Sequence, residues 1–337
     1  MKRKFAVVVS LILFLSSCSS EKSALRKEYT VVSYNVENLF DTVDDPKIPD
    51  EEFLPGGEKD WNNDRYQKKL EDISRVLSEI NTKELPEIIG LVEVENQTVL
   101  GDLVQTGKLK DQYGIVHEES PDYRGIDVAL IYRKNAFTEL VHEVLSVVFP
   151  DDPDFKTRDI LHVTGKIRNK MVHVFVTHWP SRIGGEDVTE PKRVLAASVL
   201  KNKVDQILVS DPKARIIIMG DMNDEPANKS LIETLGAGSP DSKAKLVNLM
   251  MPDDVQNLGT YFYSGNWNML DNLVVSDAML KGSGIKIENN KGNIFSNEWM
   301  IYTSKNGDKS PNRTYVGKKY VAGVSDHFPV YFKMIVN

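Results

Sequence analysis

The sequence predicts a mixed fold, α/β or α+β, that is built on packed β-sheets. Short runs of Val, Ile and Leu recur along the chain and outnumber the helical patterns. Continuous apolar runs of this kind are typical of strands that are covered on both faces or packed sheet on sheet. Between them lie two amphipathic patterns, each of which leads into a strand. No linker-like or repeated segment divides the 337 residues, so we expect one large domain.

The predicted strands share a feature, because many of them carry a polar residue at one end. YTVVSYNVENLF is a β-branched run that reaches Asn35, and ARIIIMGDMNDEP reaches Asp221 and Asn223. In GVSDHFPVYFKMIV, alternating apolar residues predict a last strand with Asp326 and His327 at its head. In chain order, the predicted strand segments are 29–40, 86–96, 126–133, 171–182, 214–226, 268–277 and 323–336.

Two segments keep their apolar residues at helical spacing. Residues 64–81 form the first, with Asn63 or Asp64 as a plausible N-cap. Residues 191–208 form the second, and Pro191 suits its first turn. Two polar segments are expected to be surface loops near a site: 41–61 and 291–317.

The amino-terminal segment predicts export. A basic start is followed by an apolar run too short to span a bilayer, which is typical of a signal peptide, residues 1–17. The stretch LSSC that ends at Cys18 resembles a bacterial lipobox, in which the cysteine is lipidated and becomes the mature amino terminus. Cys18 is the only cysteine, so an intramolecular disulfide and a Cys-based zinc site are excluded. The alternative is a plain cleaved signal with an incidental cysteine.

The lipobox resemblance implies a location and a domain layout. It places the protein outside the cytoplasm, anchored through Cys18 to a bacterial membrane at the periplasmic face or the cell surface. Residues 18–28 are then the lipidated cysteine and a polar tether, and residues 29–337 are the folded domain. The formal net charge of −7 and the lack of a basic cluster argue against strong non-specific nucleic-acid binding. A phosphate-ester substrate held through a metal ion is compatible with this charge.

Polar residues with complementary chemistry gather at the predicted strand ends. Each of them alone is compatible with an ordinary solvated strand end. Together, their carboxylates and amides suit a hard, oxygen-preferring cation such as Mg²⁺. Two histidines can bind or protonate anionic oxygens, and a cation with a positioned water can hydrolyse phosphate esters. The residues are Asn35, Glu93, His178, Asp221, Asn223, Asp271, Asp326 and His327.

Six short motifs around these residues resemble those of the endonuclease/exonuclease/phosphatase superfamily. In chain order they are SYNVENLFD, GLVEVEN, THWPSR, MGDMNDEP, LDNLVVS and SDHFPV, and the resemblance covers residues 31–332. The superfamily includes deoxyribonucleases, abasic-site endonucleases, neutral sphingomyelinases and inositol polyphosphate 5-phosphatases. The resemblance implies a four-layer sandwich of two mainly antiparallel sheets flanked by helices, with the site at one end between the sheets.

The resemblance also implies a metal centre. The expected ligands of Mg²⁺, with Mn²⁺ as an alternative, are Asn35, Glu93 and Asp326, and Asn35 also contacts the phosphate. One departure from the family pattern is Val92, where many relatives have Gln before the metal-binding Glu. Glu95 lies two residues beyond Glu93, hence on the same strand face. Hydrogen bonding at the rim of the site is its expected role, and a second ligand is the alternative.

The remaining motif residues are expected to act on the phosphate and on the attacking water. Asp221 is placed to orient or activate the water, Asn223 to bind phosphate, and His178 to lie near the scissile phosphate. Asp326 is expected to orient His327, as an aspartate orients the histidine of a catalytic triad.

Three further expectations concern supporting residues. Asp271 is expected to buttress a catalytic histidine or the metal shell. Arg182 is expected either to contact the substrate phosphate or to anchor a loop through a salt bridge. The other histidines are expected to be surface or satisfied core residues without an acidic partner in a motif: His117, His142, His162 and His173.

The motifs favour Mg²⁺-dependent hydrolysis of phosphodiester bonds by direct attack of water. A nuclease acting on DNA or RNA outside the cytoplasm is the preferred interpretation. Glu225 stands where inositol phosphatases commonly have Arg, and no convincing apolar membrane-contacting hairpin supports a sphingomyelinase. The alternative is a phosphatase or phosphodiesterase on a small phosphorylated metabolite or lipid headgroup. A third hypothesis, a non-catalytic surface lipoprotein, is disfavoured because the chain keeps the site residues that degenerate members usually lose.

Overall fold

The computed structural model describes residues 27–282 and 284–337. The predicted signal peptide and Cys18 therefore lie outside the described residues. The first strand begins at Lys27, two residues before the predicted start of the domain. In the described ranges, no helix has both the length and the apolar character needed to cross a membrane.

Strands form the two central layers of the fold. Numbered in chain order, they are β1 (Lys27–Leu39), β2 (Ile88–Val94), β3 (Tyr113–His117), β4 (Asp127–Arg133), β5 (Phe137–Leu145), β6 (Ile160–Ile167), β7 (Lys170–His178), β8 (Ile216–Asp221), β9 (Ala237–Gly238), β10 (Leu246–Asn248), β11 (Tyr261–Tyr263), β12 (Asn266–Asn268), β13 (Asp271–Ser276), β14 (Ile285–Ile287), β15 (Asn293–Ile294), β16 (Ile301–Thr303), β17 (Lys309–Pro311), β18 (Tyr315–Val316), β19 (Lys319–Tyr320) and β20 (Val330–Val336). Every predicted strand segment overlaps one of these strands.

The helices lie between the strands. They are α1 (Asn63–Ile80), α2 (Gln97–Val104), α3 (Glu186–Ser210), α4 (Met251–Asp254) and α5 (Asp277–Lys281). A π-helical turn follows β8, and short 3₁₀ turns punctuate the loops: Ser230–Leu235, Glu51–Phe53, Gly107–Leu109, Glu288–Asn290 and Glu298–Met300. The segment 41–61 is mainly loop, as predicted, whereas 291–317 contains the short strands β15 to β18.

Two seven-stranded sheets face each other. The first has the order β14-β20-β1-β2-β4-β3, with β15 also paired to β20, and the second has the order β5-β6-β7-β8-β13-β10-β9. The pairs β1–β2 and β7–β8 are parallel, and most other neighbours are antiparallel. The carboxyl ends of β1 and β2 therefore lie side by side at one end of the first sheet, and those of β7 and β8 at one end of the second.

Three apolar clusters divide the molecule into four layers. The inner faces of the two sheets share one core, which includes Val31 and Phe332 of the first sheet and Ile217 of the second. The outer face of the first sheet packs on α1 and α2. The outer face of the second sheet packs on α3. The expected four-layer sandwich is confirmed, with sheets of mixed strand direction.

Both predicted helices are present, but their starts differ from expectation. The N-cap of α1 is Asn62, whose side chain accepts a hydrogen bond from the Arg65 backbone N–H. The helix α3 begins at Glu186, and Pro191 lies inside it. A proline within a helix removes one backbone hydrogen bond. Two acidic residues in the first turn of α3 favour the earlier start, because they complement the positive end of the helix dipole.

Candidate active site

Three predicted site residues lie side by side across the second sheet. His178 ends β7, Asp221 ends the parallel strand β8, and Asp271 begins the antiparallel strand β13. The register places His178 opposite Asp221, and Asp221 opposite Asp271. Directly opposed residues project to the same face of a sheet. The three side chains therefore form one buried row.

Gly220 makes this row possible. It has a φ of +146°, and a Cβ atom built on it would lie 1.8 Å from the backbone oxygen of Thr177 on β7. Any other residue would push β7 and β8 apart. The glycine in the GD-x-N motif is therefore required by the close approach of the two strands that carry His178 and Asp221.

The first sheet supplies Asn35 and Glu93 at a paired irregularity of β1 and β2. Glu37, Asn38 and Glu93 have φ values of 53°, 52° and 64°, a region that residues other than glycine seldom enter. Val94 packs on the helix-facing side of the sheet, which strict alternation would assign to Glu93. The bulge thus turns the Glu93 carboxylate toward the second sheet. Such local backbone strain is typical of functional sites.

Asp221 is the meeting point of the two sheets. The Asn35 side-chain amide donates a hydrogen bond of 3.1 Å to Asp221 Oδ2. The Nε2 atoms of His178 and of His327 each lie 3.7 Å from that same oxygen. The other carboxylate oxygen accepts a 2.9 Å hydrogen bond from the backbone N–H of Asn223. One carboxylate is therefore surrounded by an amide and two imidazoles.

His327 is oriented by Asp271, and the prediction that Asp326 orients it is wrong. His327 Nδ1 lies 2.7 Å from Asp271 Oδ2, within hydrogen-bonding distance. The Asp326 carboxylate faces Arg313 instead, at 3.8 Å. His327 forms an antiparallel bridge to Tyr261, and in such extended backbone neighbouring side chains point to opposite sides. Adjacent residues Asp326 and His327 therefore take different partners.

Burial shifts the pKa values of the central groups. Burial is the main cause that raises the pKa of Asp221 to about 7, against the lowering effect of the charge on His327. Burial by itself lowers the pKa of His327, but the Asp271 and Asp221 carboxylates outweigh it and raise that pKa well above its usual value. Burial, followed by the charge of Arg158, lowers the pKa of His178 well below its usual value. At neutral pH, Asp221 lies between a charged and a neutral imidazole.

The loop after β8 carries Asn223 and is held by Arg182. The Asn223 side-chain amide donates to the backbone oxygen of Trp179 over 3.0 Å. Arg182 donates to the Asn223 backbone oxygen over 2.7 Å. Its other contacts are with Glu186, Asn228, Asn268 and Asp224. Since the guanidinium is engaged throughout, we assign Arg182 to the loop-anchoring alternative instead of the predicted substrate contact.

A buried lysine behind the site was missed by the sequence analysis. Lys69 is 2% exposed, and its Nζ donates to Thr314 Oγ1 at 2.6 Å and to the Val324 backbone oxygen at 2.5 Å. Burial lowers the pKa of Lys69, and the nearby Glu37 and Asp326 carboxylates oppose this effect. The available signal was a lysine within the apolar face of α1, at the position before Leu70.

Glu95 lies beside the site with a hydrogen-bonding role. Its side chain accepts a 2.6 Å hydrogen bond from the Asp41 backbone N–H, and it is 6% exposed. Burial raises its pKa to about 8. Glu95 therefore ties the loop after β1 to the end of β2, in agreement with the expected role at the rim.

The remaining histidines are satisfied by polar neighbours, as expected, and three of them have an acidic partner that lies outside the six motifs. His117 Nε2 lies 3.0 Å from Asp127 Oδ2, and with Glu119 these residues offer ligand atoms that all lie within 4.8 Å of one another. This group is a candidate cation site at the edge of the first sheet. His142 and His162 contact Glu139 and Glu143 respectively, and His162 also contacts His173.

The central residues fit a hard cation. Glu93 and Asp221 present carboxylate oxygens, which Mg²⁺ and similar ions prefer. Asn35 lies beside them, with its amide N–H directed to Asp221 and its amide oxygen accepting a 2.9 Å hydrogen bond from the Glu37 backbone N–H. Among the described side chains, Asp271 Oδ1 and His178 Nδ1 are buried without a hydrogen-bond partner. Buried polar atoms are normally satisfied. The site thus has capacity for polar groups that the protein itself does not supply.

A family comparison agrees with this arrangement. The sequence model of the Endonuclease/Exonuclease/phosphatase family matches residues 30–335. The chain belongs to this family. Its members are phosphodiesterases and phosphatases that depend on a divalent metal, so the chain is a hydrolase of phosphate esters. No curated protein sequence matches the chain.

Solved structures share the family fold. TDP2 from D. rerio, complexed with a single-strand DNA product, has a TM-score of 0.57 at 13% identity and covers 91% of this chain and 98% of its own. A mannosyl-6-phosphatase from Bacteroides thetaiotaomicron has a TM-score of 0.57 at 16% identity, over 91% and 99%. A further family protein from that organism has a TM-score of 0.57 at 15% identity, over 93% and 99%. At these identities the likeness shows the fold.

Proposed function

We propose that this protein is a Mg²⁺-dependent phosphodiesterase that cleaves DNA or RNA outside the cytoplasm. The observation that carries the proposal is the surrounding of Asp221 by Asn35, His178 and His327, with both Nε2 atoms 3.7 Å from one carboxylate oxygen. A buried carboxylate with a pKa of about 7 is suited to general-base chemistry near neutral pH.

The metal ligands belong to the same proposal. Glu93 and Asn35 would hold the ion, and Asp326, whose carboxylate lies 3.8 Å from Arg313, remains the third predicted ligand. When bound, Mg²⁺ would supply Lewis-acid polarisation of a phosphoryl oxygen. Glu93 is suitably placed, because its Oε1 lies 3.9 Å from His178 Nε2 and its Oε2 accepts a 3.0 Å hydrogen bond from the Asn38 backbone.

The other side chains of the site act on the attacking water and on the phosphate oxygens. Asp221 orients the attacking water and accepts its proton. His327, held as an imidazolium by Asp271, donates its Nε2–H to a non-bridging phosphate oxygen. His178 and Asn223 complete the set of groups that hold the other phosphate oxygens as charge develops in the transition state.

Two solved structures bear on the substrate class. The neighbouring TDP2 structure contains a single-strand DNA product, which supports a nucleic-acid substrate. The mannosyl-6-phosphatase has the same TM-score, which supports the alternative of a small phosphorylated metabolite. The location outside the cytoplasm and the lipid anchor at Cys18 rest on the lipobox resemblance.

Protein beginning at Ser19 and stripped of metal tests the proposal. It would be incubated with supercoiled plasmid, RNA and bis-p-nitrophenyl phosphate, in the presence of Mg²⁺, Mn²⁺ or EDTA. Asp221→Asn is the inactive variant, and Asp241→Asn, at an exposed loop position, is the matched control. Metal-dependent cleavage of plasmid or RNA that disappears only in Asp221→Asn is the expected result.

Other outcomes would redirect the assignment. Cleavage of the small diester alone would favour the metabolite or lipid-headgroup alternative. A folded, metal-binding protein that turns over none of these compounds would contradict the enzymatic proposal and favour a binding role. Lipid attachment is tested separately, by growing a bacterial host that produces the full-length protein with a radioactive fatty acid. We expect Cys18 to be labelled, and an unlabelled protein would refute the lipid anchor.

A further inference from the structure

A cleft lies beside the candidate active site, between the loop after β1 and the loop before β4. It has a volume of ≈ 390 Å³, and its lining includes Asn38, Phe40, Phe53, Lys59, Tyr123 and Arg124. Its inner end joins the site, because Asn38 is the residue whose backbone N–H donates to Glu93 Oε2 over 3.0 Å. A substrate group attached next to the scissile phosphate would therefore reach this cleft.

The two walls of the cleft are locked together. Gly125 has a φ of +64°, and a Cβ atom on it would lie 2.3 Å from Ile48 Cγ2 in the opposite loop. On the floor, Phe40 and Phe53 stack with ring centroids 4.3 Å apart. The cleft is thus a preformed feature of the fold.

Arg124 brings unbalanced positive charge to one wall. Its neighbour Asp122 also binds the buried Arg158, through a 2.9 Å ion pair, while Arg124 Nε lies 3.5 Å from the other carboxylate oxygen. The single Asp122 carboxylate therefore pairs with two guanidinium groups, and these three side chains together carry a net positive charge. Arg158 directs its remaining contacts to the backbone oxygens of His178 and Trp179, whereas Arg124 stays 35% exposed at the cleft.

Lys59 brings a second cation to the opposite wall. Its Nζ lies 4.6 Å from the Phe53 ring and 5.3 Å from the Tyr315 ring, which fixes the ammonium over aromatic faces. Glu52 is the acidic group on the cleft lining, and it approaches Lys59 at 3.7 Å. With Lys59 and Arg124 against Glu52, the lining carries a net positive charge although the whole chain is acidic.

We propose that this cleft binds the phosphate that adjoins the scissile phosphate in a nucleotide chain, through Arg124 and Lys59. This inference rests on the proposed function and adds a residue-level basis for substrate choice. Tyr123, which is 65% exposed, would pack against the intervening sugar or base. A guanidinium with free N–H groups matches phosphate geometry, and an ammonium adds a point charge.

Two matched substrates test the inference. Thymidine 5′-(p-nitrophenyl phosphate) has one phosphate, and its 3′-phosphorylated form differs only by the added phosphate. The wild-type protein is expected to prefer the 3′-phosphorylated form through a lower KM. In Arg124→Gln and Lys59→Gln, the ratio of kcat/KM for the two substrates is expected to fall about tenfold, the scale of one charge-assisted contact. The ratio cancels any effect of Arg124 on the reacting groups themselves.

A control and a binding measurement keep the outcomes distinct. Lys213→Gln removes an exposed lysine at the far end of β8 and should leave the preference intact. Calorimetry should show thymidine 3′,5′-bisphosphate binding about tenfold tighter than thymidine 5′-monophosphate to the wild type, with that difference lost in both cleft variants. Hydrolysis of the two substrates without preference, or a preference unchanged in the cleft variants, would overturn the inference. If the protein hydrolyses neither substrate and binds both nucleotides with equal affinity, the inference and the proposed function are both overturned. If it hydrolyses neither substrate but binds the bisphosphate more tightly, and the cleft variants lose that difference, only the proposed function is overturned.

Discussion

Replacing Asp271 by asparagine tests whether an aspartate–histidine pair operates at the end of β13. Asp271 is fully buried, and its Oδ2 lies 2.7 Å from His327 Nδ1. Asparagine keeps the shape of the side chain and removes its charge. We therefore expect His327 to lose the partner that holds it as an imidazolium, while the protein still folds. The rate of phosphodiester hydrolysis should fall mainly through kcat, because the lost interaction strengthens as charge develops on the phosphate.

The size of the effect follows from the geometry. A hydrogen bond to a charged group is worth about 1.5–3 kcal/mol, and the upper end applies here because neither partner is screened by solvent. At about 1.4 kcal/mol per factor of ten, the loss corresponds to about 10²-fold in kcat. A smaller effect opposes it, since the Asp271 charge contributes to the raised pKa of Asp221 and its removal favours ionised Asp221.

The assay is metal-dependent hydrolysis of bis-p-nitrophenyl phosphate over a range of substrate concentrations. Circular dichroism and thermal unfolding confirm that each variant is folded. Asp277→Asn is the matched control, because Asp277 follows the same strand at its other end and faces Lys245 at 3.5 Å. A folded Asp271→Asn protein with kcat within about threefold of the wild type would refute the reasoning. Equal losses in the two variants would refute it as well.

Three further predictions concern stability. Burial raises the pKa of Glu87 from 4.5 to about 7. The stability that the protonated Glu87 contributes is therefore fully present below pH 4.5 and is lost as the pH rises through about 7. The urea-unfolding free energy of the wild type should decline by on the order of 2 kcal/mol across this window, and Glu87→Gln should abolish that decline. Gly220→Ala should cost about 3 kcal/mol or more, measured by urea unfolding, because its Cβ would strike the Thr177 backbone oxygen, and a stable variant would contradict the close-approach argument. Lys69→Met should cost about 3 kcal/mol by leaving the half-buried Glu37 without its compensating charge. Combining it with Glu37→Gln should recover part of the loss in a double-mutant cycle, whereas strict additivity would show that the two groups are not coupled.

Much of the fold could be predicted from local patterns. The alternation of Val330, Phe332 and Met334 predicted the last strand, and all three pack in the core between the sheets. The strand ends at His178 and Asp221 were also expected, and pairing brings them together. These predictions succeed because side-chain direction in a strand follows from a period of two. Helix starts were less predictable, since α3 begins at Glu186, after the N-cap Gly185, and not at Pro191, and competing caps have similar energies.

Partnerships between side chains depended on the tertiary structure. Asp326 adjoins His327 in sequence, yet Asp271 is its hydrogen-bond partner, because extended backbone separates neighbouring side chains while sheet pairing unites distant ones. Glu93 reaches the site through a bulge that simple alternation would not place there. Arg182 could have contacted substrate or protein, and only the position of its loop distinguished the two roles.

The sequence alone determined the fold class, the family resemblance and the set of polar residues at the site, because these depend on residue type, order and local periodicity. The tertiary structure determined which acid orients which histidine and which basic side chains lack a full complement of negative charge. It also determined that loop 41–61 forms a cleft with Arg124 next to Glu93. Charge balance and hydrogen-bond partnership depend on distances of a few ångströms between segments far apart in the chain. Local sequence patterns do not specify those distances, and packing of the two sheets does.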